Sequence, residues 1–307
     1  MISQTTSQPA MSDTLDPSEA LAGLAKTGAV LIRRRGTTEN DYIQLGESLA
    51  RSQVHHATGT GERDLVRPDA NISTINKGSD AIPLHREASY LPDTPDILSF
   101  YCDQPPETGG QTTLCDGVNL LNALPESVRD YVETGPGAEL VWRWNLPFER
   151  WSAAFRTRSP RQVEDQLARL RRGFTAGQRL DTHFDGDQLH GVYRTRAVIE
   201  TRFGQLPAFC NSVMAFYYRD PGPYVALHLY HVSLADGSAF PPDTLATIRD
   251  RAEHLTYQVS WEAGDILLVD NSRFMHGRRP VADTHRRILV RLGMYHDADH
   301  NDEAAHG

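Results

Sequence analysis

Cysteine is scarce in this chain, and its scarcity is the first constraint. Three thiols in 307 residues, Cys102, Cys115 and Cys210, are odd in number and sit in apolar, strand-like runs. That argues against a disulfide scaffold and for buried free thiols in a reducing compartment, so the expected location is the cytoplasm. No C-x-x-C, G-x-S-x-G or G-K-[ST] occurs, which removes zinc-ribbon, serine-hydrolase and P-loop readings. Long apolar runs are also missing, and the polar Met1–Ser12 stretch has no signal-peptide core, so no membrane association is expected. Positive charge is in deficit, 31 Lys and Arg against 40 Asp and Glu, a net charge of -9 that argues against a dedicated nucleic-acid binder. There is no Gly/Ser linker, no repeat and no sustained change of composition. One domain over residues 17–296 is expected, with residues 1–16 and 297–307 as frayed ends.

The patterning alternates between strand and helix. Pro17-Ser18-Glu19 opens a short helix, Ala29–Arg33 reads as a strand and Thr38–Ser52 as an amphipathic helix. Ile97–Cys102 and Thr112–Cys115 read as strands separated by Pro105-Pro106 and Gly109-Gly110 turns. The middle, Pro125–Arg172, is helical in pattern, within an insert spanning about residues 125–185. Strand patterns return at Leu189–Thr201 and Met214–Tyr218, and a helix opens at Pro241-Pro242-Asp243. Thr256–Ser260, Asp265–Asp270 and Arg286–Tyr295 close the chain as strands. Strands at both ends around a helical insert suit a mainly β chain with helices: an α+β double-stranded β-helix, or jelly roll, with flanking helices and a helical lid.

Metal-binding residues stand out against this background. On an extended strand, residues i and i+2 share a side, so His85 and Glu87 can face one ion while Arg86 points away. His183-Phe184-Asp185 offers the same spacing, but in a polar, turn-like stretch that would hold a metal poorly. His276 follows the buried run Gly264–Asn271, at the rim of a plausible cavity. Two histidines and a carboxylate on one face of an ion leave positions open, the donor set of non-haem Fe(II) oxygenases. His55-His56, His228 and His231 lack a partnered carboxylate and default to structural or surface roles.

Arg287 lies 11 residues after His276, and Arg291 four further on. Alternation puts Arg287, Leu289 and Arg291 on one face of the last strand, with the two guanidinium groups about 13 Å apart, and that face is expected to meet the cavity. A buried arginine demands an anion, and its planar fork fits a carboxylate. Arg287 is therefore expected to hold the distal carboxylate of a dicarboxylate co-substrate. Arg291 is expected either to hold an acidic group of the substrate or to form an internal salt bridge. Thr112, opening a strand after the Gly109-Gly110 turn, is positioned to donate to the carboxylate that Arg287 binds.

Leu84–Tyr90, Phe100-Tyr-Cys102, Pro105–Asp116 and Trp261–Asn271, followed by His276-Gly277 and Arg287, resemble the taurine dioxygenase / clavaminate synthase-like superfamily of Fe(II)/2-oxoglutarate-dependent oxygenases. Ala235-Asp-Gly-Ser238 and Phe148-Glu-Arg-Trp151 look most like its branch that hydroxylates amino acids in natural-product pathways. The resemblance, over about residues 80–295, implies iron ligation by His85, Glu87 and His276, and 2-oxoglutarate binding by Thr112 and Arg287. Arg291 falls where some members meet the substrate's acid group. Glu87 replaces the commoner aspartate, as in clavaminate synthase-like members, and Arg86 replaces a small or amide residue. An intact carboxylate ligand argues against a halogenase, whose members carry a small residue there. The reaction expected is hydroxylation of an unactivated C–H of an amino acid or related metabolite, free or carrier-bound, using Fe(II), 2-oxoglutarate and O2. Desaturation, epoxidation or cyclisation at the same iron is the alternative within the class. Outside it stand a zinc hydrolase on the same ligands and a non-catalytic jelly-roll binding protein.

Overall fold

In the computed structural model, which describes residues 7–52, 63–75, 78–218, 229–282 and 285–295, the strand Arg287–Tyr295 is the hub of the larger sheet. It pairs antiparallel with Ile97–Gln104 on one side and with Ile72–Thr74 and Ala50–Ser52 on the other. Ile97–Gln104 continues to Ile266–Asp270, then Ala29–Ile32, then Ala10–Ser12. A second sheet runs Tyr257–Val259, Thr112–Asp116, Phe274–Arg278, Ile82–His85. These two sheets face each other over a core that includes Leu98, Phe100, Leu114, Trp261, Phe274 and Val290. That is the sandwich expected of a jelly roll.

The outer face of the larger sheet is covered by helices Pro17–Thr27 and Glu39–Leu49, through Leu24, Tyr42, Leu45 and Leu49 against Tyr101, Leu268 and Leu289. Both helices start where their caps dictate. Asp16 accepts from the amides of Ser18 and Glu19, and Thr38 and Asp41 form a reciprocal capping box. The second helix stops at Leu49, short of the expected Ser52, because Ala50–Ser52 turns extended and pairs with the hub strand.

Four other expectations change. Residues 7–16 are built into the fold rather than frayed: the Ser7 amide donates to the Leu255 carbonyl, Ser7 Oγ accepts from the Asp116 amide, and Ala10–Ser12 pairs parallel with Ala29–Ile32. The run expected as a strand at Met214–Tyr218 is the helix Val213–Tyr218, the ambiguity inherent in a short apolar run. The insert is not purely helical. It holds the strand Glu139–Leu146 at the centre of a third sheet with Gln188–Arg196, Arg179–Asp185 and Tyr230–Leu234, and packs helices Phe148–Phe155 and Pro160–Arg171 beside it. His183 and Asp185 lie exposed on its edge strand rather than in a turn. His55, His56, His228 and the tail 297–307 lie outside the described residues.

Candidate metal centre

His85 ends the strand Ile82–His85, and His276 lies directly opposite it on Phe274–Arg278. His276 is thus inside a strand, not past the end of one as expected from sequence. The cross-strand register sets the two rings 4.2 Å apart, centroid to centroid. Glu87 comes from the loop that follows, held by residues far away in sequence. The Asn271 carboxamide accepts from the Glu87 amide at 3.0 Å and donates to the Glu87 carbonyl at 3.1 Å. Ala88 then takes φ +55°, a left-handed turn unusual for a residue with a Cβ, and Tyr90 packs against Trp142 and Tyr230 of the insert sheet.

The three side chains converge. One ligand atom from each of His85, Glu87 and His276 lies within 4.8 Å of the others, and Glu87 Oε2 is 3.6 Å from both Nε2 atoms. Bonds of about 2.1 Å at right angles would put neighbouring donors about 3 Å apart, so a small contraction fits a divalent ion. The chemistry of the donors agrees. His85 Nδ1 lies 2.9 Å from the Pro83 carbonyl, a contact that calls for an N–H there and frees Nε2 as a lone-pair donor. Burial, reinforced by His85 and Arg63, holds His276 well below the usual histidine range, in its neutral ligating form. Burial alone would raise the Glu87 carboxyl, but the Arg63 charge with the two histidines outweighs it and keeps the group ionised.

A recess opens beside this trio, lined by Phe100, Thr112, Arg63, Arg278 and Arg286 among others. Arg286, not Arg287, enters it. The expectation that Arg287, Leu289 and Arg291 share a face holds, but that face is the outer one. Leu289 packs under the helices, while Ile288, Val290 and Leu292 join the inter-sheet core. Arg287 stands at the half-exposed margin, 2.9 Å from Asp103 and 3.8 Å from Glu39. Arg291 is buried, as expected, but among the described residues it neither lines the cavity nor forms an ion pair: its guanidinium donates to the Gly46 and Ala50 carbonyls at 2.7 Å each, at the end of the helix Glu39–Leu49.

Arg286 carries the features expected of Arg287. Its Nε is buried with no hydrogen-bond partner among the described residues, and burial, with Arg278 nearby, pulls its pKa down to about 10. Gly110, at φ +66°, clears its path, since a Cβ there would sit 3.2 Å from Arg286 Cδ. Thr112 is buried at the cavity wall, and its hydroxyl accepts from Trp261 Nε1 at 3.1 Å, which leaves its own proton to give. Among the described lining residues Glu87 is the only carboxylate, against three arginines, so the recess suits an anion. Trp144 and Trp151 of the insert are buried in its own core, with Phe148 packed against it. Three contributors escaped the sequence reading: Arg63, Asn271 and Arg286. Only the last had a signal, as the neighbour of a residue already chosen.

The taurine catabolism dioxygenase TauD, TfdA family model matches residues 6–292. The chain belongs to that family. It is 24% identical over 285 residues to a clavaminate synthase-like protein of Arabidopsis thaliana, covering 88% of this chain and 82% of that one. It is also 24% identical over 297 residues to the dapdiamide synthesis protein DdaC of Enterobacter agglomerans, covering 92% and 87%. In fold it is similar to a taurine dioxygenase from Burkholderia xenovorans (TM-score 0.56, 15% identity, 95% of this chain and 88% of that one). PvcB from Pseudomonas aeruginosa is similar too (TM-score 0.54, 15% identity, 94% and 84%). As a member of this family the chain is a dioxygenase, an oxidoreductase that works on a small molecule with Fe(II), 2-oxoglutarate and O2. Among the described residues no helix is long and apolar enough to cross a membrane.

Proposed function

We propose that this dioxygenase hydroxylates an unactivated C–H of an amino acid or a related natural-product intermediate, with His85, Glu87 and His276 as the iron ligands. The reaction is R–H + 2-oxoglutarate + O2 giving R–OH + succinate + CO2. Iron bound by the trio supplies the site where the keto acid and O2 react. The chain's own residues do the rest. Arg286 receives the distal carboxylate of 2-oxoglutarate through its fork, and the Thr112 hydroxyl, already accepting from Trp261, donates to the same group. The observation that carries this reading is the buried Arg286 Nε, without a partner among the described residues, in the recess that holds the trio.

The amino-acid class rests on two supports. DdaC is by its name a dapdiamide synthesis protein, and PvcB is described as an Fe, alpha-ketoglutarate dependent oxygenase from an isonitrile synthetic pathway. The test is succinate formation from anaerobically loaded Fe(II) enzyme on admitting O2, across a panel of amino acids. Turnover stimulated by one of them and abolished in His276→Ala is expected. Turnover unaffected by any amino acid, but stimulated by an unrelated small molecule, would overturn the substrate class.

A further inference from the structure

Glu87 has two oxygens, and Arg63 reaches both of them. Oε2 is 3.6 Å from both histidine Nε2 atoms, so it is the oxygen that points at the ion. Arg63 Nη2 lies 3.1 Å from Oε1 and 3.2 Å from Oε2. Both side chains are largely buried, at 15% and 12% exposure, so this is not a surface pair that solvent screens. An ion drawn to Oε2 repels a cation sharing that oxygen, which leaves the guanidinium to Oε1.

We propose that Arg63 is a positioning residue that makes Glu87 a one-oxygen ligand. The proposal rests on the metal-site reading above. A glutamate has a longer stem than an aspartate and can swing both oxygens onto an ion, filling a fourth position. In a six-coordinate site three protein donors leave three positions, two for a chelating keto acid and one for O2; four donors would leave none for O2 once the keto acid binds. Arg63 occupies the oxygen that would take that position. The loop around Glu87 cannot do this by itself, because Asn271 fixes only the backbone.

The test counts exchangeable waters rather than turnover. Mn(II) is loaded in place of Fe(II), and water-proton relaxation is measured for wild type, Arg63→Met and Arg63→Lys. Wild type is expected to hold about three exchangeable waters, and about one after 2-oxoglutarate is added. Arg63→Met, which keeps the packing and removes the donor, is expected to hold about two, and none after 2-oxoglutarate. Arg63→Lys restores the wild-type values. Equal hydration in wild type and Arg63→Met, or Mn(II) binding lost in Arg63→Met while the fold is retained, overturns the inference while leaving the metal site standing. A rise only in the KM of the organic substrate would also overturn it, because Arg63 would then be a substrate contact. A wild type that takes up no Mn(II) sinks the metal reading itself, and this inference with it.

Discussion

Asn271 grips Glu87 by its backbone from both sides, accepting from its amide and donating to its carbonyl, while a further bond to the Pro95 carbonyl fixes the carboxamide. The residue is fully buried at the end of the strand Ile266–Asp270. One side chain thus ties a core strand to the loop that presents the carboxylate, and the left-handed Ala88 beside it is held by that anchorage.

Asn271→Ala should therefore damage the site and the fold together. It leaves the Glu87 amide and two carbonyls without this partner, a cost of about 2–4 kcal/mol for buried polar groups. Outer-shell partners of ligands usually matter by about 10–100-fold in metal affinity. A lower Tm and a weaker Mn(II) Kd by titration are the expected outcomes. An unchanged Kd in a folded variant would show that Glu87 holds its place without the anchor.

Arg286 and Arg287 are adjacent in sequence and opposite in environment, which makes a sharp comparison. Arg286→Ala should raise the KM for 2-oxoglutarate by about a hundredfold or more, the loss of a buried charge-assisted carboxylate contact. Arg287→Ala removes only marginal ion pairs with Asp103 and Glu39, worth about 0–1 kcal/mol, and should leave that KM near wild type. The reverse ranking, read from 2-oxoglutarate titrations, would return the role to Arg287.

The same pair shows how far the sequence could be read. His85, Glu87 and His276 were legible because strand geometry and donor chemistry converge on few residue types. Alternation correctly grouped Arg287, Leu289 and Arg291, yet period-two patterning says only which residues share a face, not which face meets the cavity. Both faces of this strand are apolar and buried, one under helices and one between sheets, so hydrophobicity offered no arbiter. A register shift between Arg287 and Ile288 further separates the first residue from the strand it begins. Arg63 and Asn271 act through contacts 24 and 184 residues from Glu87 in sequence, which no local pattern records. The insert strand Glu139–Leu146 was hidden because Trp142 and Trp144, with flanking helices, make an apolar run that either state would accept.

Arg291 separates a structural arginine from a ligand-binding one. Gly46 permits its approach, since a Cβ there would lie 3.2 Å from Arg291 Cδ, and the helix-end carbonyls take its charge. Burial lowers its pKa, so the guanidinium is held against a desolvation cost. Arg291→Met should destabilise the fold by about 2–4 kcal/mol, because two buried carbonyls lose their donor. The KM values for 2-oxoglutarate and substrate in the folded fraction should stay within about twofold. Denaturant unfolding beside steady-state kinetics checks both, and a selective rise in substrate KM would restore a role in recognition.

The three thiols make the last prediction, and its sign follows from their burial. Burial pushes Cys102 and Cys210 up to about 12, and Cys115 higher still. In the unfolded chain a thiol ionises near 8.5. A group whose acid form is favoured by folding stabilises the fold fully below the unfolded pKa, and that contribution is lost as the pH rises through the folded one. Buried Tyr42, Tyr230 and Tyr295 are shifted in the same direction by the same cause, so their contributions fall with the thiols'. The denaturant midpoint should drop between pH 8 and pH 10.5. At pH 8 the native protein should resist iodoacetamide, and the unfolded chain should take up three equivalents. Rapid labelling of one thiol in the native state would mean that its burial is opened by local motion, and mass mapping would say which strand moves.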